Sequence, residues 1–537
     1  MKKTLLAALA ISAPAVLSAQ SAVDAYQLSQ TEQRGTARFM AMGGAFTALG
    51  GDLSTLNQNP AGIGVYRRSE IGATLDITPR KITSTTNSTK ESMSKTKVYC
   101  NNFGYVGTAR LDGLLRTFSW GASYNRVTSF DRAYSAYTAR TNASLSNYIA
   151  SFTSAPENDL NFGENYNPYL DSNEDWLSIL AYNSFMINPK AGGGYQGLRN
   201  SGTIGDALSE VRESGYVDEY AIDFGGNIGN VVMWGIGFGI TDLSFNQTTY
   251  YSESMEKATI PTETEGPNGE VIGKLQEGNA GVQLRNYRNI NGNGFNLKLG
   301  VIVKPINEFR IGFAVHTPTW HHLSSSSYAG VDYSYYNPGA AESKLNPIAG
   351  TEETDDAYYN FHLNSPWKIM VGAAAVIGNQ AIVSLDYERQ AYNNTKVSYQ
   401  DQRGDYVSDD YVNDDTKAYF KAANIFRLGV EYRLTPAFSL RAGYNYTSTS
   451  TKEDALNGNM EIFTAGTNPA YSLNRSINAL SLGVGYHYQA FYADAAYVYR
   501  NKKSSYYAFT PYQDISSPKA DLTEVTNSIV LSVGFKF

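Results

Sequence analysis

The sequence predicts an all-β chain: a 14-stranded antiparallel transmembrane β-barrel whose lumen is plugged by the hatch segment ahead of the first strand. Three observations carry this reading. Apolar residues alternate with small or polar ones at period two in segment after segment, the pattern of a strand with one apolar face. Short turns and long polar connections alternate strictly along the chain. No stretch approaches the roughly 18 consecutive apolar residues of a spanning helix; "VVMWGIGFGI" at 231 to 240 and "IMVGAAAVI" at 369 to 377 reach only half that length.

At the N-terminus, Lys2 and Lys3 precede an apolar run from Leu5 to Leu17 and then Ser18-Ala19-Gln20. Residues 1–19 therefore read as a secretory signal peptide cleaved after Ala19, which takes the mature chain out of the cytoplasm. The only thiol is Cys100, so an internal disulfide is excluded and stability rests on packing and hydrogen bonding. A formal charge of −7 is modest for 537 residues and argues against a nucleic-acid partner. The 41 Tyr and 48 Gly, with a mean hydropathy of −0.34, describe a chain that is aromatic and polar together, as a wall with one apolar face requires.

Residues 20–69 precede the first strand, placed near Glu70 to Ile82, and contain the compact stretch "GGAFTALGGDLSTLNQNPAG" at 43 to 62. Gly43, Gly44, Gly50 and Gly51 permit close backbone approach and positive φ. Pro60 forces an extended residue before it. From residue 70 to 537, short turns fall at 111–116, 227–230, 304–308, 377–380, 433–437 and 487–490. Longer polar connections fall near 83–96, 130–216, 247–289, 319–365, 394–419, 451–475 and 503–525. Six turns and seven loops join fourteen strands with both termini on the short-turn side, the asymmetry of an outer-membrane barrel with short periplasmic turns. Closure satisfies every strand edge in lipid. A barrel this wide has a lumen that wall side chains alone do not fill, and the 20–69 segment is placed to fold back into it.

In "VMWGIGFGITDLSF", Trp234, Ile236, Phe238 and Ile240 share one face, opposite Gly235, Gly237 and Gly239. The last strand, "NSIVLSVGFKF", sets Ile529, Leu531, Val533, Phe535 and Phe537 against Ser528, Ser532, Gly534 and Lys536. An amphipathic last strand ending in Phe537 resembles the signal read by the barrel assembly machinery of bacterial outer membranes. The third strand, "TFSWGASYNRV" at 117 to 127, keeps Phe118, Trp120, Ala122 and Tyr124 on one face but puts Val127 on the other. Either the strand ends there, the favoured reading, or a bulge near Asn125 shifts its parity.

The pattern "MGGAFTALGGDLSTLNQNPAG" resembles the N-terminal hatch of the FadL/TodX family of outer-membrane transport proteins for hydrophobic compounds. The matching positions are Gly43, Gly44, Ala45, Ala48, Asp52 and Ser54, followed by Asn59, Pro60, Ala61 and Gly62. The segments 294–318, 365–377 and 424–446 resemble the family's strand–turn–strand units, so the likeness spans most of the mature chain. It implies transport of hydrophobic small molecules such as long-chain fatty acids across the lipopolysaccharide layer of a Gram-negative outer membrane. It also implies an apolar pocket between hatch and wall, and lateral release through an opening at a kink in the third strand.

The longest connection, 130–216, departs from the family pattern and contains "ASLSNYIASF" (143–152) and "EDWLSILAYNSFM" (174–186) at near-helical spacing. Its Trp176, Leu177, Ile179, Leu180 and Phe185 form either a hydrophobic landing site at the barrel mouth or the loop's own packing. No enzyme is expected: no nucleophile, base and orienting group can be assigned together, and "GGGYQG" at 192–197 lacks the strand that a dinucleotide site needs. No cofactor is called for either. His316, His321, His322, His362 and His487 show no zinc-motif spacing; the His321-His322 doublet reads as a solvated loop position, with contact to haem or a metal as the alternative. The acidic cluster Asp401, Asp405, Asp409, Asp410, Asp414 and Asp415 lacks EF-hand spacing and reads as a solvated loop, and Arg403-Gly404-Asp405 is too short to argue adhesion. The second functional class is a surface interaction, adhesion or structural barrel, a haemin-receptor-like role included.

Overall fold

The computed structural model describes residues 20–537 apart from 154–159, 161–165, 173, 191, 266–270, 341–345, 379 and 402. The expected signal peptide lies outside the described residues. The strands β1 (Glu70–Thr85), β2 (Lys90–Arg110), β3 (Leu115–Ser129), β4 (Ile204–Ile228), β5 (Val232–Glu265), β6 (Val271–Ile306) and β7 (Phe309–His316) make the first half of a 14-strand barrel. β8 (Lys368–Ile377), β9 (Ala381–Ala391), β10 (Ala422–Arg433), β11 (Phe438–Thr447), β12 (Tyr471–Tyr488), β13 (Phe491–Tyr507) and β14 (Lys519–Lys536) complete it. Each strand is antiparallel to the next, and β14 closes the barrel on β1 from Glu70↔Lys536 to Thr85↔Asp521. The turns fall at the six places the sequence marks.

The wall alternates as a strand in lipid must, with apolar side chains outward and small or polar ones inward. On β14, Ile529, Leu531, Val533, Phe535 and Phe537 are exposed, while Ser528, Val530 and Ser532 are buried. On β5, Phe238 and Ile240 face outward and Gly235, Gly237 and Gly239 inward.

The connections differ from their sequence reading. The stretch 247–289 is almost entirely ladder, because β5 and β6 stay paired from Val232↔Val303 to Glu265↔Val271. In 319–365, the strand Trp320–Tyr336 continues along β6 past the end of β7, and Ala357–Asn364 pairs with it. Beyond the bilayer neither face of a strand meets lipid, so these extensions carry Ser, Thr, Asn, Tyr and Glu without an apolar stripe. Their composition reads as loop while the hydrogen-bond ladder continues.

The connection 130–216 holds helices at Leu145–Phe152 and Trp176–Asn183. They pack with Tyr251, Met255, Tyr335 and Leu522 in one apolar cluster at the long-loop end of the barrel. Trp176, Leu177, Ile179 and Leu180 are buried, and Tyr335 donates its hydroxyl to the Ser184 carbonyl at 2.8 Å. The hydrophobic landing site is therefore absent at these four residues, whose apolar surface is spent on packing; Phe185 alone stays partly exposed, edge-on to Tyr333.

A charge on the lipid face tests the orientation of the wall. Leu531→Arg is expected to cost about 2–4 kcal/mol in equilibrium unfolding from lipid vesicles, whereas Asn87→Arg, at an exposed position of the β1–β2 connection, should stay within about 0.5 kcal/mol.

Candidate functional site

The N-terminal segment runs along the interior of the wall. Ser21 and Asp24 form a capping box at the start of helix Ala22–Leu28. That helix is buried among Phe130, Phe245, Tyr392 and Phe420, with the Tyr26 ring stacked on Phe420 at 4.2 Å. An extended stretch then leads to helices Ala37–Ala41 and Thr55–Gln58 and the 3₁₀ turn Pro60–Val65, ending beside the short-turn rim at Tyr66.

The motif residues each have a geometric part. Asn59 is fully buried; its Nδ2 donates to the Thr47 carbonyl at 2.6 Å and its Oδ1 accepts from the Ala61 N–H at 3.1 Å, capping the turn that Pro60 opens. Asp52 accepts from the Thr36 hydroxyl at 2.8 Å and the Ser54 N–H at 2.9 Å, so one carboxylate ties two turns together. Gly43 and Gly44 have φ of +63° and +76°, which side chains resist. Ala61 and Gly62 are buried, and a Cβ on Gly62 would strike Thr55.

The wall opposite is cut back to receive this segment. A Cβ on Gly235 would meet the Pro60 carbonyl, one on Gly300 the Asn59 amide, one on Gly312 the Thr47 carbonyl and one on Gly443 the Gly43 nitrogen. The alternation on β5, β6, β7 and β11 thus places glycine where the segment's backbone touches the wall. Sequence reading sees these glycines as the small face of a strand; their partner becomes visible only in three dimensions.

Charged side chains fasten the remainder. Glu32 pairs with Arg500 at 2.5 Å, Arg34 at 2.9 Å and Arg80 at 3.7 Å. Burial alone would raise the Glu32 carboxyl, yet Arg500, Arg34 and Arg80 outweigh it and hold it well below the usual carboxylate range. Arg38 pairs with Glu431 at 2.8 Å, Arg288 with Asp24 at 2.5 Å, and Lys298 with Glu219 and Asn57. None of these wall partners is marked by a local motif.

Beside this hub the wall is open. β1 pairs with β2 along its whole length, from Glu70↔Val106 to Thr85↔Lys90, but β2 and β3 pair only from Arg110↔Thr117 to Asn102↔Asn125. Past that point β3 stays with β4 through a register shift between Arg126 and Thr128, and the strand Arg132–Thr141 continues on β4. The third strand therefore bulges at Val127 and does not end there, correcting the favoured sequence reading. The bulge turns the Val127 carbonyl inward, where it accepts the Glu32 N–H at 3.0 Å. Residues 131–137 fold in behind β1: the Asp131 carbonyl accepts from Arg80 at 2.5 Å and the Tyr137 carbonyl from Thr86 at 2.8 Å. A cavity of about 350 Å³ lies at the break, lined by Ile82, Met93, Lys95 and Arg132 among others.

The expected apolar pocket between segment and wall takes a different form. The described cavities there, of about 20 to 110 Å³, mix charged side chains such as Arg80, Arg132, Glu32 and Glu524, or Lys298, Lys368, Glu219 and Glu388, with apolar ones such as Phe130 and Ile425 or Leu28 and Met370. The apolar side chains of helix Ala22–Leu28 are spent largely on their own cluster. Elsewhere, Tyr195–Gln196 of the glycine-rich loop forms a small hairpin with Asn188–Pro189. Asp401 and Asp409 accept backbone N–H groups that shape their loop. His321 is buried facing inward, so the His321-His322 doublet is split across the wall.

These features define a plugged 14-stranded barrel with an interrupted wall. The fold is shared with a Pseudomonas aeruginosa FadL homologue at 13% identity and a TM-score of 0.52, over 94% of this chain and 99% of that one. It is shared equally with the deltaS2 variant of the TodX monoaromatic hydrocarbon channel, at 13% identity and a TM-score of 0.52 over 94% and 98%. At that identity the likeness establishes the fold. No protein-family model matches the chain, and no curated protein matches it.

Two outcomes test the seating of the segment. Gly235→Val and Gly300→Val should each destabilise it by about 1–3 kcal/mol through overpacking, seen as protease cleavage within residues 20–66 of the folded barrel. Because the Glu32 carboxyl is held low in the folded state, its contribution is complete above its unfolded value of about 4.3 and is lost as pH falls through the folded value. Protease accessibility of the segment should therefore rise in acid, and Glu32→Gln should show that accessibility already at pH 7.

Proposed function

We propose that this protein resides in the outer membrane of a Gram-negative bacterium and takes up hydrophobic small molecules, long-chain fatty acids being the first candidates. The observation that carries the reading is the wall break between β2 and β3, with the Val127 carbonyl held by Glu32 of the N-terminal segment. In this reading residues 20–69 are the hatch, the Asn59-Pro60 turn keeps it seated, and cargo leaves sideways through the break into lipid. The barrel fold shared with a FadL homologue and a monoaromatic hydrocarbon channel supports the class of cargo. Five cations, Arg80, Arg132, Arg475, Arg500 and Lys502, against three carboxylates, Glu32, Glu213 and Glu524, around one interior cavity leave an excess of positive charge that favours a cargo with a carboxylate head over a plain hydrocarbon. Phe537 at the end of β14 is the proposed contact for the barrel assembly machinery, and lipopolysaccharide surrounds the long-loop end.

Uptake of a labelled long-chain fatty acid by cells lacking other outer-membrane routes should depend on this protein. Deleting Val127, which removes the bulge, should let β3 follow β2 further and abolish that uptake in a barrel that still folds. Asn59→Ala with Pro60→Ala should impair uptake as well. Uptake unchanged in the Val127 deletion would exclude lateral release.

A further inference from the structure

On the outward face of the wall, beyond the contacting rings of Trp320 and Phe295, two histidines from separate strands meet. His322 and His362 are directly opposed in the pairing of Trp320–Tyr336 with Ala357–Asn364. Their ring nitrogens, Nδ1 of His322 and Nε2 of His362, lie 2.8 Å apart. A third donor atom joins them: the Tyr406 hydroxyl is 3.1 Å from the same Nδ1, and the Tyr406 ring is stacked on the His362 ring at 3.5 Å. Tyr406 comes from Tyr406–Ser408, a short strand paired with Lys396–Gln400, which itself pairs with Ala357–Asn364. Three segments distant in sequence thus bring two imidazole nitrogens and a phenol oxygen to one point.

We infer that His322 and His362, with Tyr406 beside them, form a surface site for a divalent transition-metal ion of the Cu²⁺, Ni²⁺ or Zn²⁺ type. The Nδ1 of His322 faces both His362 Nε2 and the Tyr406 hydroxyl, and an ion held by the two nitrogens would lie in the imidazole planes with the Tyr406 ring stacked over His362 beside it. Nitrogen ligands about 2.0–2.1 Å from a metal stand about 3 Å apart when adjacent in its coordination sphere. The observed separation needs to open by only a few tenths of an ångström. Imidazole nitrogen selects borderline ions over Ca²⁺ and Mg²⁺, and Cu²⁺ binds most tightly in the usual order. Among the described residues no group of three or more His, Cys, Asp and Glu converges as a cage. The remaining positions on the ion are therefore open to water, and the site is one of reversible capture on the outside of the wall. This is independent of the transport reading, since neither histidine touches the segment or the break.

The test uses the folded, detergent-solubilised protein purified without a polyhistidine tag. Calorimetric titration should give one Cu²⁺ per chain, with a paramagnetic resonance spectrum showing two coordinated nitrogens. The doubly substituted His322→Ala, His362→Ala protein should bind at least about tenfold more weakly. Tyr406→Phe keeps the ring stack and should retain both nitrogen couplings. Equal binding by wild type and the double variant would overturn the site. Should that variant fail to fold, Cu²⁺ must protect His322 and His362 of the wild-type protein from diethyl pyrocarbonate; modification unchanged by the metal would overturn it equally.

Discussion

In a hydrocarbon environment each backbone N–H and C=O must find a partner inside the protein, and the architecture of this chain follows from that demand. Closure of β14 on β1 satisfies it for the outermost strands. The break between β2 and β3 violates it locally, leaving one edge of β2 residues 90–101 without a hydrogen-bonded partner strand. Side chains substitute on the other edge: Arg80, Ser84 and Thr86 of β1 and its turn hydrogen-bond to the carbonyls of Asp131, Ser135 and Tyr137. An opening bounded by such specific replacements is built into the wall, and a frayed edge would not carry them.

The same demand explains which features were legible in the sequence. Where strands face lipid on one side, alternation is enforced, so the turns, the strand parity of β5 and β14 and the number of strands could be read directly. Beyond the bilayer the enforcement stops, and the ladder of β5 and β6 past Phe245 and Ile290 looked like loop. The segment from Gly43 to Gly62 announced itself through its glycines and Asn59-Pro60, because close backbone packing restricts residue type. The wall partners of Glu32 did not, since Arg80 and Arg500 sit in ordinary strand positions and only barrel closure brings them together. Val127 lay between: its parity slip was visible, but bulge and strand end look alike until pairing with β4 decides.

Packing and charge share the work of holding the segment. The glycine contacts at 235, 300, 312 and 443 are steric and tolerate no added atom, so they fix where the backbone lies. The ion pairs fix its register along the lumen axis, because Glu32, Arg38 and Asp24 each meet a different part of the wall. Loss of a single buried partner would leave a charge uncompensated, which costs about 3–5 kcal/mol. The segment is therefore coupled to β3 through Glu32, whose carboxylate holds three arginines while its N–H holds the bulge.

That coupling bears on the direction in which a cargo would move. An apolar molecule travelling down the axis must part Glu32 from Arg34, Arg80 and Arg500, at about 3–5 kcal/mol for a buried partner lost. Burial of apolar surface returns about 25 cal/mol per Å², so roughly 120–200 Å² of new contact would be needed merely to offset it, in cavities already lined by charge. A sideways exit through the break between β2 and β3 would pass Arg80 but neither Arg34 nor Arg500. It opens beside Ile82 and Met93, with Arg80, Lys95, Arg132, Arg212 and Glu213 around the same space, beyond the last exposed apolar residues Ile77 and Val98 of β1 and β2. A cargo carrying a carboxylate adds a further constraint, because Arg132 and Lys95 stand at the mouth of that exit. They would hold the head while the tail enters lipid, so release would be completed only as the acid is neutralised or its charge reaches the membrane interface.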